Sequence, residues 1–292
     1  MSGPLFADPT ARVVFARGGS PLTEGQNLVQ AELAGTLAQI RLAGVGDLYQ
    51  GAMARRLVDA SRQAGGPLTA TDLRGALAGI SPAIMVSYKN DQVAFPAPPS
   101  DGGLAAAVAF NALARDPSDL GGAAARSLSA AARFRAGGMD AQSVVQATEL
   151  PPGGLPQLPA STSFGALDRA GNAVMCAATM GNLFGTGRIA PGLGFLLAAS
   201  PASVPPPLLS VGLAWSPRDH AFRAMAGGSG QAGAAVAVAA QLMSVLSTGG
   251  PTQVPEPGRS NVAACSGYLP GNERSCGFAT DQRESGLAAV GG

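Results

Sequence analysis

Three hydroxylated residues, Ser161, Thr162 and Ser163, stand side by side, and Thr179 follows at the end of a second strand-like run. A serine or threonine attacks an amide carbonyl only when a base takes its proton. The usual base is histidine, and the sole histidine, His220, lies in the turn-like stretch "SPRDHAF". No Gly-x-Ser-x-Gly elbow surrounds Ser161. Ser-His-Asp chemistry is therefore disfavoured. One device needs no histidine. A chain cut immediately before a serine frees that residue's α-amino group, whose pKa of about 7.7–8.0 suits a general base. The device requires a hydroxyl residue opening a strand directly after a cleavable segment. Ala160–Ser161, behind the Pro/Gly-rich "ELPPGGLPQLPA", meets that requirement.

The elements that must position these groups read as follows. Asp168-Arg169-Ala170-Gly171-Asn172 has the form of a hairpin loop, with Gly171 free to take positive φ. Ser161 and Thr179 are equidistant from Ala170, so they face each other across the two strands. Their Cβ atoms are then about 4.5–5.5 Å apart. The plain alternative is a Ser–Thr hydrogen bond that closes a strand end. Upstream, Leu28, Leu33, Leu37, Ile40 and Leu42 recur at helical spacing, "GVGDLYQG" interrupts, and "AMARRLVDASRQ" resumes a helix. Thr71 before Asp72 reads as a helix N-cap or turn residue. "AIMVSY" and "DQVAFPAP" read as strands around a turn, "GGLAAAVAFNALA" as a buried helix, and the Ala-rich run after Asp116 as another. "GGSG" reads as a turn feeding the apolar helix "AAVAVAAQLMSVLS", and the chain after Gly249 as irregular.

Composition bounds the rest. Hydrophobic residues make up 46% of 292 residues, enough for a sizeable core. Charge nearly cancels, with 19 Lys plus Arg against 18 Asp plus Glu, so nucleic acid is a poor partner. No apolar run is long enough for a membrane span, and the N-terminus lacks the pattern of a signal peptide. One His and three Cys do not build an ordinary zinc site, and no metal or cofactor is expected. Cys176 reads as a buried small hydrophobe; Cys265 and Cys276 are open between a disulfide and two free thiols.

Several motifs now share one order. Ser161-Thr162-Ser163-Phe164-Gly165-Ala166-Leu167-Asp168 leads into "GNAV" and then Phe184-Gly185-Thr186-Gly187. "ELAGTLAQIRLAGVGDLYQG", "GGPLTATDL" and "PPSDGG" precede them; "PGLGFLLAAS" and "AMAGGSG" follow. Over roughly residues 5–248 this series resembles the gamma-glutamyltranspeptidase family of N-terminal-nucleophile hydrolases. The resemblance implies a four-layer α/β/β/α sandwich, incomplete at its N-terminal side. It implies self-cleavage between Ala160 and Ser161, with residues 1–160 and 161–292 staying associated in one composite domain. Ser161 takes the place of the family's nucleophilic threonine, and Thr179 that of the threonine bonded to it. Gly227 and Gly228 match the glycine pair of the oxyanion hole. A Gly turn at a helix N-terminus suits that role; a tight turn packed on the sheet is the alternative.

Departures from the family pattern are as informative. Its histidine after the second threonine is Ser163, and its substrate-binding asparagine falls on Gly181. Its Asn-Asn and acidic segment falls on "AASPAS", and its Ser-Ser-Met segment on "PPPLLS". Its carboxylate-binding arginine falls outside this chain. The resemblance therefore implies an acyl transferase or amidohydrolase acting on glutathione or a related small γ-glutamyl or acyl amide, with the glutamyl-binding residues left unassigned. Its members' periplasmic or secreted location is the compartment it suggests. The competing expectation is an unprocessed, non-catalytic relative with a structural or binding role.

Overall fold

The computed structural model describes residues 3, 5–137, 139–283 and 286–291. The chain divides into two compact units, Met1–Ile80 with Met180–Val204, and Ser81–Thr179 with Pro205–Gly292.

The first unit is helical. A 3-10 turn at Leu5–Ala7 precedes α1 (Pro9–Phe15), and a short ribbon of β1 (Ala16–Arg17) and β2 (Ser20–Pro21) follows. Then come α2 (Ala31–Ala43), α3 (Gly46–Gln50), α4 (Ala52–Gln63) and α5 (Ala70–Gly75). The interruption expected between two helices is thus itself a short helix. Asp47 holds this junction, accepting from Gln39 Nε2 and from the Ala52 N–H, each at 2.7 Å. Met53, Ala60, Ala190, Leu193 and Leu197 form the core here. The cap of α5 is Thr69 rather than Thr71. Thr69 Oγ1 accepts from the Asp72 N–H while Asp72 accepts from the Thr69 N–H, a reciprocal box that Thr71 is too close to Asp72 to make.

The second unit carries the main sheet. Its elements are β3 (Ile84–Tyr88), β4 (Asp91–Phe95), α6 (Gly102–Arg115), α7 (Leu120–Ala136), α8 (Ala141–Gln146), β5 (Thr162–Leu167), β6 (Ala173–Ala178), β7 (Val211–Ser216), β8 (Ala221–Ser229), α9 (Ala234–Ser247), β9 (Arg259–Leu269) and β10 (Cys276–Ala279). Among the described residues six strands form one sheet in the order β10-β9-β8-β7-β4-β3, every neighbour antiparallel. Among the described residues β5 and β6 pair only with each other. Helices α6 and α9 are apolar almost all round, so they are buried between layers, with Phe95, Phe110, Leu104 and Leu242 at the centre of the core. Asp101, at the start of α6, receives two bonds from Arg135 of α7 (2.6 and 3.1 Å), and Arg135 also donates to the Pro206 carbonyl (2.9 Å). This planar two-point pair fixes both helices against the segment that enters β7.

The mixed helix-and-sheet class matches the expectation. Three local readings are corrected. The tail after Gly249 is not irregular, because it contains β9 and β10, joined by a Cys265–Cys276 disulfide across the register. The "GGSG" stretch is not a turn, because β8 runs through Ser229 and the chain reverses only at Gly230. Cys176 is half-buried on β6 opposite Phe164, not sealed in a core.

Candidate active site

The segment before Ser161 has no regular structure, and its residues 151–154 are exposed. It is pinned before the proposed cut. The Gly153 N–H donates to Ser129 Oγ (3.1 Å), and Leu158 and Pro159 are buried. Ala160 and Ser161, both half-buried, thus sit between a buried anchor and the first residue of β5.

The β5–β6 register follows from the turn. The Asp168 N–H donates to the Asn172 carbonyl (3.0 Å) and the Gly171 N–H to the Asp168 carbonyl (3.1 Å). The Asp168 carboxylate accepts from the backbone and side-chain nitrogens of Asn172, bonds that hold its pKa below the usual carboxylate range. Gly171 takes φ 84°, as its place in the loop requires. Thr162 then pairs with Ala178 and Ser163 with Ala177. Continuing that register by one residue sets Ser161 opposite Thr179. Thr179 Oγ1 donates to the carbonyl oxygen of Ala160, the carbonyl of the Ala160–Ser161 bond.

The glycine pair is positioned differently from the expectation. Gly227 and Gly228 lie inside β8, and the Gly228 N–H donates to the Ser210 carbonyl (3.0 Å). Their missing side chains have a packing reason. A Cβ on Gly227 would lie 2.4 Å from Ser163 Oγ and 2.7 Å from Met175 Cε. A Cβ on Gly228 would lie 2.2 Å from the Ala234 carbonyl oxygen. Neighbouring strand residues point to opposite faces. One glycine therefore admits the hairpin on one side of the sheet, and the next admits α9 on the other. This is close in kind to the packing alternative, though in a strand rather than a turn.

Other expected residues fall as follows. Ser163, at the family's histidine position, faces Gly227. His220 is exposed in the turn before β8 with φ 52°. It precedes Gly227 by seven residues, about 20 Å of extended chain. Gly181 is buried in the first unit, where a Cβ would lie 3.0 Å from Ala199 Cβ.

A cleft of about 390 Å³ opens beside the hairpin, lined by Thr162, Ser163, Met175, Met225, Val262 and Phe278 among others. None of its described lining residues is charged. Met225, Val262 and Phe278 escape sequence reasoning because nothing local marks them; β9 and β10 bring the last two there. Asp281 borders this region. Its N–H donates to Asn261 Oδ1 (3.0 Å), and its carboxylate binds the Arg283 guanidinium (2.6 and 2.8 Å), which brings its pKa to about 2. Arg283 also reaches Glu256 (3.2 Å) and the Gly258 carbonyl (3.0 Å). Among the described residues no three His, Cys, Asp or Glu side chains are grouped to hold a metal ion, and no helix is long and apolar enough to cross a membrane.

Comparison with known proteins adds an independent line. Residues 2–150 match the family model described as Gamma-glutamyltranspeptidase. A glutathione hydrolase proenzyme of Bacillus subtilis is 38% identical over 94 residues, which are 32% of this chain and 16% of that protein. An Acylase ACY 1 proenzyme of a Pseudomonas species is 33% identical over 103 residues, 35% of this chain and 18% of that protein. A cephalosporin acylase structure from Bacillus halodurans superposes with a TM-score of 0.69 at 17% identity, covering 96% of this chain and 66% of that one. The matched region is thus under two thirds of each relative's length, and the last similarity is one of fold.

Proposed function

Because the chain belongs to the gamma-glutamyltranspeptidase family, we propose that it is a self-processing amide hydrolase or acyl transferase with Ser161 as its nucleophile. Ser161 Oγ attacks the Ala160 carbonyl carbon, the Oγ proton passes to the departing Ser161 nitrogen, and an ester replaces the amide. Water then hydrolyses the ester, leaving an Ala160 carboxylate and a free α-amino group on Ser161. In turnover that amine takes the Oγ proton while Oγ attacks the substrate's amide carbon. The substrate amine leaves with that proton, and water or another amine accepts the acyl group. The curated relatives, glutathione hydrolase and acylase proenzymes, support an amide as substrate.

The observation that carries this reading is the Thr179 hydroxyl bonded to the Ala160 carbonyl oxygen. A donor there withdraws charge from the carbonyl and stabilises the oxyanion formed by attack. Gly227 and Gly228 are proposed as the oxyanion donors in turnover, a role for which Gly228 would have to release Ser210. That engaged N–H is the observation favouring the second reading, an unprocessed relative with a binding role.

Intact mass and denaturing gels of fresh protein decide between them. Wild type should resolve into two pieces split at Ala160–Ser161, and Ser161→Ala should stay whole. Thr179→Ala should slow the cut by about 10²-fold, with Thr179→Ser close to wild type. A wild-type chain that stays whole on long incubation overturns the catalytic reading.

A further inference from the structure

We infer that the cleft beside the hairpin is an acyl-chain pocket for uncharged, unbranched apolar acyl groups, so that the amides this chain cuts carry a medium-length alkyl acyl group rather than a glutamyl one. The inference rests on the proposed role of Ser161. Position comes first. The cleft is lined by Thr162 and Ser163, the two residues directly after the nucleophile. Two residues of strand advance about 6.6 Å. An acyl group attached at Ser161 Oγ and running along β5 therefore enters the cleft within its first few carbons.

Chemistry comes next. The apolar part of the lining includes Met175, Met225, Val262 and Phe278, the polar part includes Thr162, Ser163, Asn261 and Thr280, and none of these polar side chains is charged. Asn261 is one of these, and its Oδ1 already accepts from the Asp281 N–H. A glutamyl head group brings an ammonium and a carboxylate, which need paired charges when buried. The neighbouring ions do not supply them, because Asp281 and Arg283 bind each other and Arg283 binds Glu256. Two aromatic side chains of the lining, Phe164 and Phe278, are 62% and 46% exposed. An alkyl chain in the cleft would cover apolar surface that the fold leaves in water. The two methionines, Met175 and Met225, give the walls the pliancy to fit a flexible chain. At about 390 Å³ the cleft lies at the small end of ligand pockets, which span about 300–1,000 Å³.

The test uses the uncut Ser161→Ala chain, which cannot turn over, and isothermal calorimetry with decanoate and glutarate. Each methylene taken out of water adds about fourfold in affinity, so decanoate should bind at least about 30-fold more tightly than glutarate. Phe278→Asp, at a half-exposed position on the edge strand β10, should weaken decanoate by about tenfold or more, and Phe278→Leu by under about threefold. Circular dichroism confirms that each variant is folded. Equal binding of the two acids, no saturable decanoate binding, or a Phe278→Asp chain indistinguishable from its parent overturns the pocket. The catalytic reading fails separately: a wild-type chain that stays uncut yet binds decanoate through Phe278 overturns the enzyme and leaves the pocket. A chain that cuts itself but binds glutarate as well as decanoate does the reverse.

Discussion

Gly227 and Gly228 stand where β8 meets the hairpin on one face and α9 on the other. The obstacle behind each is different. Gly227 faces Ser163 and Met175 of the hairpin, whose hydroxyl and methyl can turn aside while Ser163 Cβ, 2.6 Å from the added carbon, moves only with its strand. Gly228 faces a backbone carbonyl of α9, which cannot turn aside. Gly227→Ala should therefore cost about 1–3 kcal/mol, and Gly228→Ala more, measured by denaturant titration. Gly227→Ala should also slow self-cleavage, because the displaced Ser163 is two residues from Ser161. The sequence singled out this pair but not its reason. Two glycines before an apolar run look like a turn, and distant partners, Ser210 on one side and Asn261 and Ser260 of β9 on the other, extend the strand through them. Thr69 was legible in principle, since a threonine three residues before an aspartate is the spacing of a capping box. The Thr179–Ala160 contact was half legible: symmetry about Ala170 placed Thr179 beside the nucleophile, while its bond to the preceding carbonyl depends on how Leu158 and Pro159 are anchored.

At the scale of elements, the hairpin was readable because its turn is local. Asp168, Gly171 and Asn172 carry the register within five residues. Strands β9 and β10 were not. "RSNVAACSGYL" lies between two strands, mixes small and polar residues, and shows no clean alternation. Its partner β8 and the Cys265–Cys276 bridge define it instead. The chain after β10 is tied back to the start of β9 by Asp281 and Arg283, and that tie titrates. Arg283 lowers the Asp281 pKa from 3.8 to about 2. A depressed carboxyl stabilises the fold above its unfolded pKa and loses that contribution as pH falls through the folded value. The stabilisation is thus complete above about pH 4 and disappears toward pH 2. Asp281→Asn should lower the thermal midpoint at pH 7 and flatten its decline between pH 4 and 2, as read by thermal scans across that window.

The second unit as a whole is built from both sides of the Ala160–Ser161 bond. Strands β3 and β4 and helices α6 and α7 come before it; β5 to β10 and α9 come after it. The main sheet crosses the divide where β4 pairs with β7, Gln92 against Trp215 and Ala94 against Leu213. The core does the same, with Phe95 and Phe110 in one cluster with Leu242. Neither product of the cut would hold the complete six-stranded sheet. The one disulfide, Cys265–Cys276, lies wholly on one side and tethers nothing across. That arrangement changes the order of the unfolding reaction. An intact chain melts in a unimolecular step, indifferent to how much protein is present. A cut chain melts into two molecules, so mass action enters its midpoint. For the processed protein, tenfold dilution should lower the midpoint by about 3–5 °C, and the Ser161→Ala chain should show no such shift. A single peptide bond, opened between two stretches of chain that share one sheet and one core, would make the melting temperature of this protein a function of its concentration.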